Sequence, residues 1–128
     1  MQLFQLALSL SIVLALTLPT NASASSCSML SYAVDDARSK LRRAANETDL
    51  EDAKDQARRA KSALEDAAEA AGDCKCDAAY NEFDDAATRA RRARDADDAD
   101  EFVDNLNRAI RSFNAANEAL RNCARRSR

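Results

Sequence analysis

The four cysteines of the chain carry its clearest chemistry. Cys27 and Cys74 are 47 residues apart, and so are Cys76 and Cys123. In an oxidising compartment, an even number of cysteines indicates disulfides. The segment Cys74-Lys75-Cys76 could instead be redox-active or bind a metal. The equal spacing favours the structural interpretation, because one half of each disulfide then falls at the boundary between two equal segments.

Two pairs of adjacent carboxylates, Asp35-Asp36 and Asp84-Asp85, have the residue types of an acid–base site. Basic residues such as Lys40 and Arg89 lie about one helical turn away, so solvated helix faces with ion pairs explain these carboxylates better. The sequence contains no histidine, which removes His-based triads, imidazole zinc sites and the commonest general base. We therefore predict a protein without catalytic activity, metal or cofactor.

The densest basic cluster in the sequence is the one we expect to contact a partner: Arg89, Arg91, Arg92 and Arg94. Clustered arginines are also typical of nucleic-acid-binding proteins. An acidic run from Asp95 to Glu101 follows directly, and the N-terminal features described below indicate secretion, so we expect no nucleic acid as a partner. The net charge of −3 favours no particular partner. We expect a secreted enzyme as the protein partner, with an anionic polysaccharide as a further candidate.

An internal repeat accounts for the equal cysteine steps. The segments 27–74 and 76–123 align without gaps at an offset of 49 residues. Identical residues at equivalent positions include both cysteines and the pairs Asp35/Asp84, Asp36/Asp85, Ala37/Ala86, Arg42/Arg91, Arg43/Arg92, Arg59/Arg108 and Glu69/Glu118. Each repeat should therefore be one supersecondary unit. A duplicated unit also argues against catalysis, since an active site usually breaks symmetry.

Apolar residues recur at every third or fourth position along two stretches of each repeat. In the first repeat these lines are Cys27, Leu30, Val34, Ala37, Leu41, Ala44 and Leu50, Ala53, Ala57, Ala60, Leu64, Ala67, Ala71, Cys74. In the second they are Cys76, Ala79, Phe83, Ala86, Ala90, Ala93 and Ala99, Phe102, Leu106, Ala109, Phe113, Ala116, Leu120, Cys123. This is the spacing of helix faces packed in a bundle.

The predicted fold is all-α, a four-helix bundle made of two tandem disulfide-closed α-hairpins. The sequence has one glycine and one proline, and β-branched residues are scarce after residue 26. We expect helices near 28–45, 49–72, 77–95 and 98–122. The larger apolar residues of the second repeat should form the centre of the core, because its lines contain Phe83, Phe102 and Phe113, whereas the lines of the first repeat contain no aromatic residue.

Residues at the expected helix ends support these limits. Thr48 and Glu51 have the spacing of a capping box at the start of the second helix. Segment 95–98 supplies aspartates that suit the start of the fourth helix. Gly72 is expected to end the second helix as a left-handed cap.

The hairpin geometry favours one disulfide pairing. An antiparallel hairpin brings its open ends together, which favours Cys27–Cys74 and Cys76–Cys123. The crossed pairing, Cys27–Cys76 with Cys74–Cys123, stays open in a bundle. A Cys74–Cys76 bridge is disfavoured because so short a ring is strained.

The N-terminal segment has the pattern of a secretory signal. The first 26 residues carry no charge, Leu3 to Leu18 is mostly apolar, and Ala22-Ser23-Ala24 suits cleavage. We predict a signal peptide over 1–24 and a secreted domain over 25–128, with no membrane span in the mature chain. A retained membrane anchor is the alternative, because no positive charge precedes the apolar run. Asn46-Glu47-Thr48 is a sequon, which predicts a glycan on Asn46 if the source is eukaryotic.

Part of the second repeat resembles the plant invertase and pectin methylesterase inhibitor family. The residues that carry the resemblance are Cys76-Asp77-Ala78-Ala79-Tyr80, Asp85-Ala86, Leu106, Ala109-Ile110 and Cys123. The resemblance covers about 48 residues. It implies a secreted, disulfide-stapled four-helix protein that inhibits a cell-wall carbohydrate enzyme through a helical face.

These observations lead to one functional expectation and one alternative. We expect a secreted, non-enzymatic helical protein that binds another macromolecule through a rigid helix face, in the narrower case as an inhibitor of invertase or pectin methylesterase. The alternative is a structural protein or a membrane-active or surface-active defence protein.

Overall fold

Four helices, and no strand, make up residues 22–126, the part of the chain that the computed structural model describes. They are α1 (Ala22–Asn46), α2 (Leu50–Asp73), α3 (Asp77–Arg94) and α4 (Ala99–Arg126). The predicted all-α bundle of two hairpins is confirmed. α1 begins earlier than predicted and α4 ends later, whereas α2 and α3 have nearly the predicted limits. The predicted signal peptide lies mostly outside the described residues.

The predicted apolar lines form the core of the bundle. Within it, the rings of Phe83 and Phe113, both of the second repeat, have centroids 6.0 Å apart and planes inclined at 57°. Phe83 and Leu64 are among the largest fully buried side chains. Most other buried residues are alanines. Alanine allows helices to approach closely, but each one removes little apolar area from water.

Each helix packs against the next one along the chain, α1 on α2, α2 on α3 and α3 on α4. The outer helices α1 and α4 touch only slightly. The inner helices therefore have two packed neighbours, which widens their buried faces beyond the predicted lines. The additional buried residues are Ala63 and Ala68 of α2 and Ala87 of α3. The bundle is thus packed along three of its seams and open along the fourth.

Both disulfides lie at the same end of the bundle. Cys27 pairs with Cys74 and Cys76 pairs with Cys123, with Cα–Cα distances of 5.2 Å and 6.0 Å. The predicted pairing is confirmed, and the crossed pairing is excluded. Each bridge closes one hairpin at its open end.

The joint between the repeats is a helix end whose left-handed residue is Lys75, with φ of 63°. Its N–H donates to the carbonyl of Gly72 at 3.0 Å, and the N–H of Cys76 donates to the carbonyl of Ala71 at 2.9 Å. These two bonds define a Schellman motif. The prediction that Gly72 is the left-handed cap is therefore wrong.

Gly72 has a packing role instead. It lies within α2 at a negative φ, and a Cβ added to it would lie 3.3 Å from Cδ2 of Tyr80 on α3. The missing side chain makes room for the tyrosine ring. The single glycine therefore indicates a close approach of two helices and not the end of a helix.

Aspartates cap the N-termini of α2 and α4, the second helix of each hairpin. Oδ1 of Asp49 accepts the N–H of Asp52 at 3.0 Å, so the N-cap of α2 is Asp49 and the predicted Thr48 capping box is wrong. At α4 the prediction of aspartate caps holds, because Oδ1 of Asp98 accepts the N–H of Glu101 at 2.8 Å. Oε2 of that glutamate accepts the N–H of Asp97 at 3.0 Å. Two donors at the start of α4 are thereby satisfied.

Removal of one disulfide should destabilise the bundle strongly. In the chain-entropy model, a bridge that closes a loop of this length stabilises the fold by about 4 kcal/mol. The double variant Cys27→Ser/Cys74→Ser should therefore melt roughly 15 °C or more below the wild type, measured by circular dichroism at 222 nm. The same melting temperature with and without the bridge would contradict this.

Replacement of Lys75 by glycine should stabilise the fold. A residue with a Cβ in the left-handed region costs roughly 1–2 kcal/mol, and glycine avoids most of this cost. We expect Lys75→Gly to raise the free energy of unfolding by about 1 kcal/mol in urea titration. Lys75→Ala is the matched control, since it removes the charge but keeps the Cβ, and it should give no such gain.

Candidate functional site

A cleft of about 840 Å³ opens between α1 and α4 at the disulfide end of the bundle. All four cysteines line it. Its apolar lining includes Leu30 and Val34 of α1 and Leu120 of α4, and Lys75 and Arg126 add positive charge. Binding sites commonly have this volume and this mixture of apolar lining with a few polar groups.

The α4 wall of the cleft is apolar because α4 has a second apolar line. Its members are Val103, Leu106, Ile110, Phe113, Leu120 and Ala124, with Asn117 as the polar exception. Leu120 and Ala124 line the cleft, and Asn117 lines the hollow beside it. Val103 and Ile110 lie at steps of seven from Asn117, so they face the same side. Val103 is 52% exposed.

The prediction from sequence identified only the first line of α4. The two lines share Leu106, Phe113 and Leu120, so the second line was hidden within the first. The signal that could have revealed it is the pair Val103 and Ile110, which fall outside the first line at a spacing of seven residues.

The internal repeat shows what kind of surface the cleft has. The face of α3 that packs on α2 includes Tyr80 and Ala87, and their equivalents in α1 are Ser31 and Arg38. Both of these residues line the cleft. On the α4 side, Arg121, which lines an adjoining hollow, is the equivalent of Gly72. The cleft is therefore the repeat equivalent of the packed α2–α3 interface.

Larger side chains keep the two walls of the cleft apart. Where the α2–α3 interface has the buried Ala87, α1 has Arg38; where it has Gly72, α4 has Arg121. Two guanidinium groups cannot be buried between helices without a large desolvation penalty. The α1–α4 seam therefore stays open to solvent while the equivalent α2–α3 seam is closed.

Arg38 lies at the centre of the open seam. It borders the 840 Å³ cleft and two adjoining hollows of about 390 and 450 Å³. Its Cζ lies 5.4 Å from the centroid of the Phe113 ring, and its NH1 donates to Oδ1 of Asp35 at 2.7 Å. The guanidinium is thus held by a ring below it and a carboxylate beside it.

The cleft and its two hollows are cationic in a protein that is acidic overall. Two carboxylates line them, Asp35 and Glu118, against six basic side chains: Arg38, Arg42, Arg43, Lys75, Arg121 and Arg126. The whole chain has a net charge of −3. Asp35 pairs with Arg38, and Glu118 pairs with Arg121 at 3.2 Å. The other four cations make no ion pair with any residue of the described chain.

The four arginines predicted to bind a partner do not form one surface. Arg91 and Arg94 face the α2 side of α3, whereas Arg89 and Arg92 lie toward the other side. Nε and NH2 of Arg94 donate to the Asp95 carboxylate at 2.9 and 3.2 Å. These hydrogen bonds raise the pKa of Arg94 and lower the pKa of Asp95 below its usual range. Their role in partner binding stays a prediction.

Apart from Asp84, whose carboxylate is exposed, the other residues considered for chemistry have structural partners. Cys74 and Cys76 bond to different cysteines, so the Cys74-Lys75-Cys76 segment holds no dithiol. Asp35 pairs with Arg38 and Asp36 with Lys40, both at 2.7 Å. Oδ2 of Asp85 accepts a hydrogen bond from the Ser112 hydroxyl on α4. Within residues 22–126 no group of three or more potential ligands is arranged for a metal ion.

Asn46 is the last residue of α1 and is exposed, as are Glu47 and Thr48. The sequon is therefore accessible, and glycosylation of Asn46 stays a prediction. Among the described helices, none has the length and apolar character needed to cross a bilayer.

Comparison of the chain with protein-family models, curated proteins and solved structures finds no match. The resemblance of the second repeat to the invertase and pectin methylesterase inhibitor family therefore stays a prediction. The geometry of the cleft is what bears on function.

The Arg94–Asp95 pair should make stability depend on pH in one direction. A carboxyl whose pKa is lowered by folding adds stability above its unfolded pKa, and this stability is lost as the pH falls through the folded pKa. Arg94→Gln should raise the pKa of Asp95, measured by NMR titration of its side-chain carboxyl carbon. It should also lower stability at neutral pH but not at pH 2. Arg92→Gln, an exposed arginine without an ion pair in the described chain, should leave that pKa unchanged.

Proposed function

We propose that this is a secreted, non-enzymatic binding protein that holds a helical segment of a partner protein between α1 and α4. The observation that carries the proposal is the second apolar line of α4, along which Val103 is exposed and Ile110 and Leu120 are only partly buried, because α1 packs on α4 only slightly. An apolar line left open beside a cleft is typical of a binding groove.

The shape of the open seam favours a helix as the occupant. Both of its walls are repeat equivalents of surfaces that pack helix against helix in the α2–α3 interface. The apolar line runs from Val103 to Ala124, which is roughly 30 Å at the helical rise of 1.5 Å per residue. A helix with apolar residues at steps of three and four would lie along such a line.

The disulfides support binding without rearrangement. One bridge fixes the first turns of α1 and the other fixes the last turns of α4, and both line the cleft. Walls that are held in place before binding lose less conformational entropy when the partner arrives. The bridges also support secretion, because such bonds persist in oxidising compartments.

In its narrower form, the proposal names a secreted cell-wall carbohydrate enzyme, invertase or pectin methylesterase, as the inhibited partner. The resemblance of the second repeat supports this choice. That repeat supplies α4, and thus the apolar wall. The lack of histidine and the use of all four cysteines in disulfides support a role in binding over a role in catalysis.

The test is complex formation with purified invertase and pectin methylesterase, followed by calorimetry and by enzyme activity. We expect a 1:1 complex with one of the two enzymes and loss of its activity. Val103→Arg should weaken the complex at least tenfold, because the new charge lies on the apolar line. Ala115→Arg is the matched control on an exposed site of the same helix away from the cleft, and it should leave binding unchanged.

Three outcomes would count against this proposal. Equal binding by the two variants would show that the partner binds away from the cleft. Arg89, Arg91 and Arg92 would then be the next candidates for partner contacts. Leakage of anionic vesicles without enzyme binding would favour the surface-active alternative. Binding to polygalacturonate alone would favour an anionic polysaccharide as the partner.

A further inference from the structure

We infer that the cleft selects an amphipathic helix with an acidic flank. This inference rests on the proposed function, and it names the chemistry of the partner segment. The two walls of the cleft differ in character, and a partner that fits both must carry two kinds of surface.

A partner segment that binds the α4 wall must carry an apolar stripe. Val103 is more than half exposed, and Ile110 and Leu120 are only partly buried. Leucine-like side chains at helical spacing would remove this area from water at about 25 cal/mol per Å². The end of the apolar line at Leu120 and Ala124 lies in a recess between two helices, which a helix reaches more readily than a flat membrane surface does.

A partner segment that binds beside α1 must carry negative charge. Arg42 and Arg43 line the hollow that adjoins Arg38, and Lys75 stands at the disulfide end of the cleft. None of these three cations has an ion-pair partner among the described residues. Carboxylates along one edge of a bound helix would lie beside them, whereas a basic helix would be repelled.

Arg38 is the expected central anchor. Its NH1 already donates to Asp35, and its Cζ lies over the Phe113 ring, so two contacts hold the guanidinium. Its Nε and NH2 groups make no hydrogen bond with a described residue. They can donate to a partner carboxylate in the planar, two-pronged geometry that arginine favours. Little side-chain entropy would be lost, since the arginine is held before binding.

The repeat provides a matched control for the charge. Arg42 and Arg43 of α1 are equivalent to Arg91 and Arg92 of α3. All four are exposed. Both pairs can therefore be reversed with the same change in net charge, but only the first pair lies beside the cleft.

The experiment uses two labelled synthetic peptides with the same heptad leucine stripe, one flanked by glutamates and one by lysines. Fluorescence anisotropy should show that the intact protein binds the glutamate peptide at least tenfold more tightly, with affinity falling as salt is raised. Arg42→Glu/Arg43→Glu should remove this preference, and Arg91→Glu/Arg92→Glu should leave most of it.

The outcomes separate this inference from the proposed function. If both peptides bind equally and Val103→Arg weakens both, helix binding between α1 and α4 is supported, but the preference for an acidic flank is overturned. If the Arg91→Glu/Arg92→Glu variant is the one that loses the preference, the acidic site is on α3 and the inference is wrong. Absence of binding by either peptide also overturns the inference. The proposed function is then decided separately by the enzyme complexes of the Val103→Arg and Ala115→Arg variants.

Discussion

An alanine core is the constraint on which the rest of this structure depends. Alanine faces let the helices approach closely, but each buried methyl contributes little to stability. Three close seams and two covalent bridges supply what larger side chains provide in other bundles. The disulfides are therefore part of the energetics of the fold, and their position at one end determines which parts of the bundle are held most firmly.

The joint at Lys75 makes two equivalent seams unequal. It joins α2 directly to α3 through three residues, so these helices are held side by side at the disulfide end. No such connection joins α1 to α4. The α2–α3 seam can then be filled with Gly72 and Ala87, while the equivalent positions between the outer helices carry arginines. Connectivity and side-chain size therefore act in the same direction on the two seams.

Much of the architecture could be predicted from the sequence, because it rests on local periodicity and on the repeat. The alternation of steps of three and four residues predicted the helix faces, and the antiparallel hairpins built from them favoured the observed disulfide pairing. The roles of Gly72 and Thr48 were mispredicted because other residues decided them. Glycine suits both a helix end and a close approach of two helices, and packing against Tyr80 requires the second. Threonine suits an N-cap, but the neighbouring Asp49 occupies that position.

The open cleft could not be predicted in the same way. Periodicity identifies the apolar face of each helix, but it does not identify the neighbour that will cover it. Val103 and Ile110 stay exposed or partly buried because α1 and α4 touch only slightly, and this is a property of the packing and not of the sequence pattern. The contact of Arg38 with Phe113 joins residues of different repeats, and no local pattern in either segment signals it.

The repeat equivalence of the two seams has a consequence for the origin of the site. Two separate copies of one disulfide-closed hairpin, related by a two-fold axis, would meet through two identical interfaces. Fusion of the copies into one chain leaves a single interface sufficient for their association. The other is then released from holding the halves together, and its residues can change without loss of the fold. In this chain the interface between α1 and α4, which is not needed to hold the two halves together, is the charged and open one.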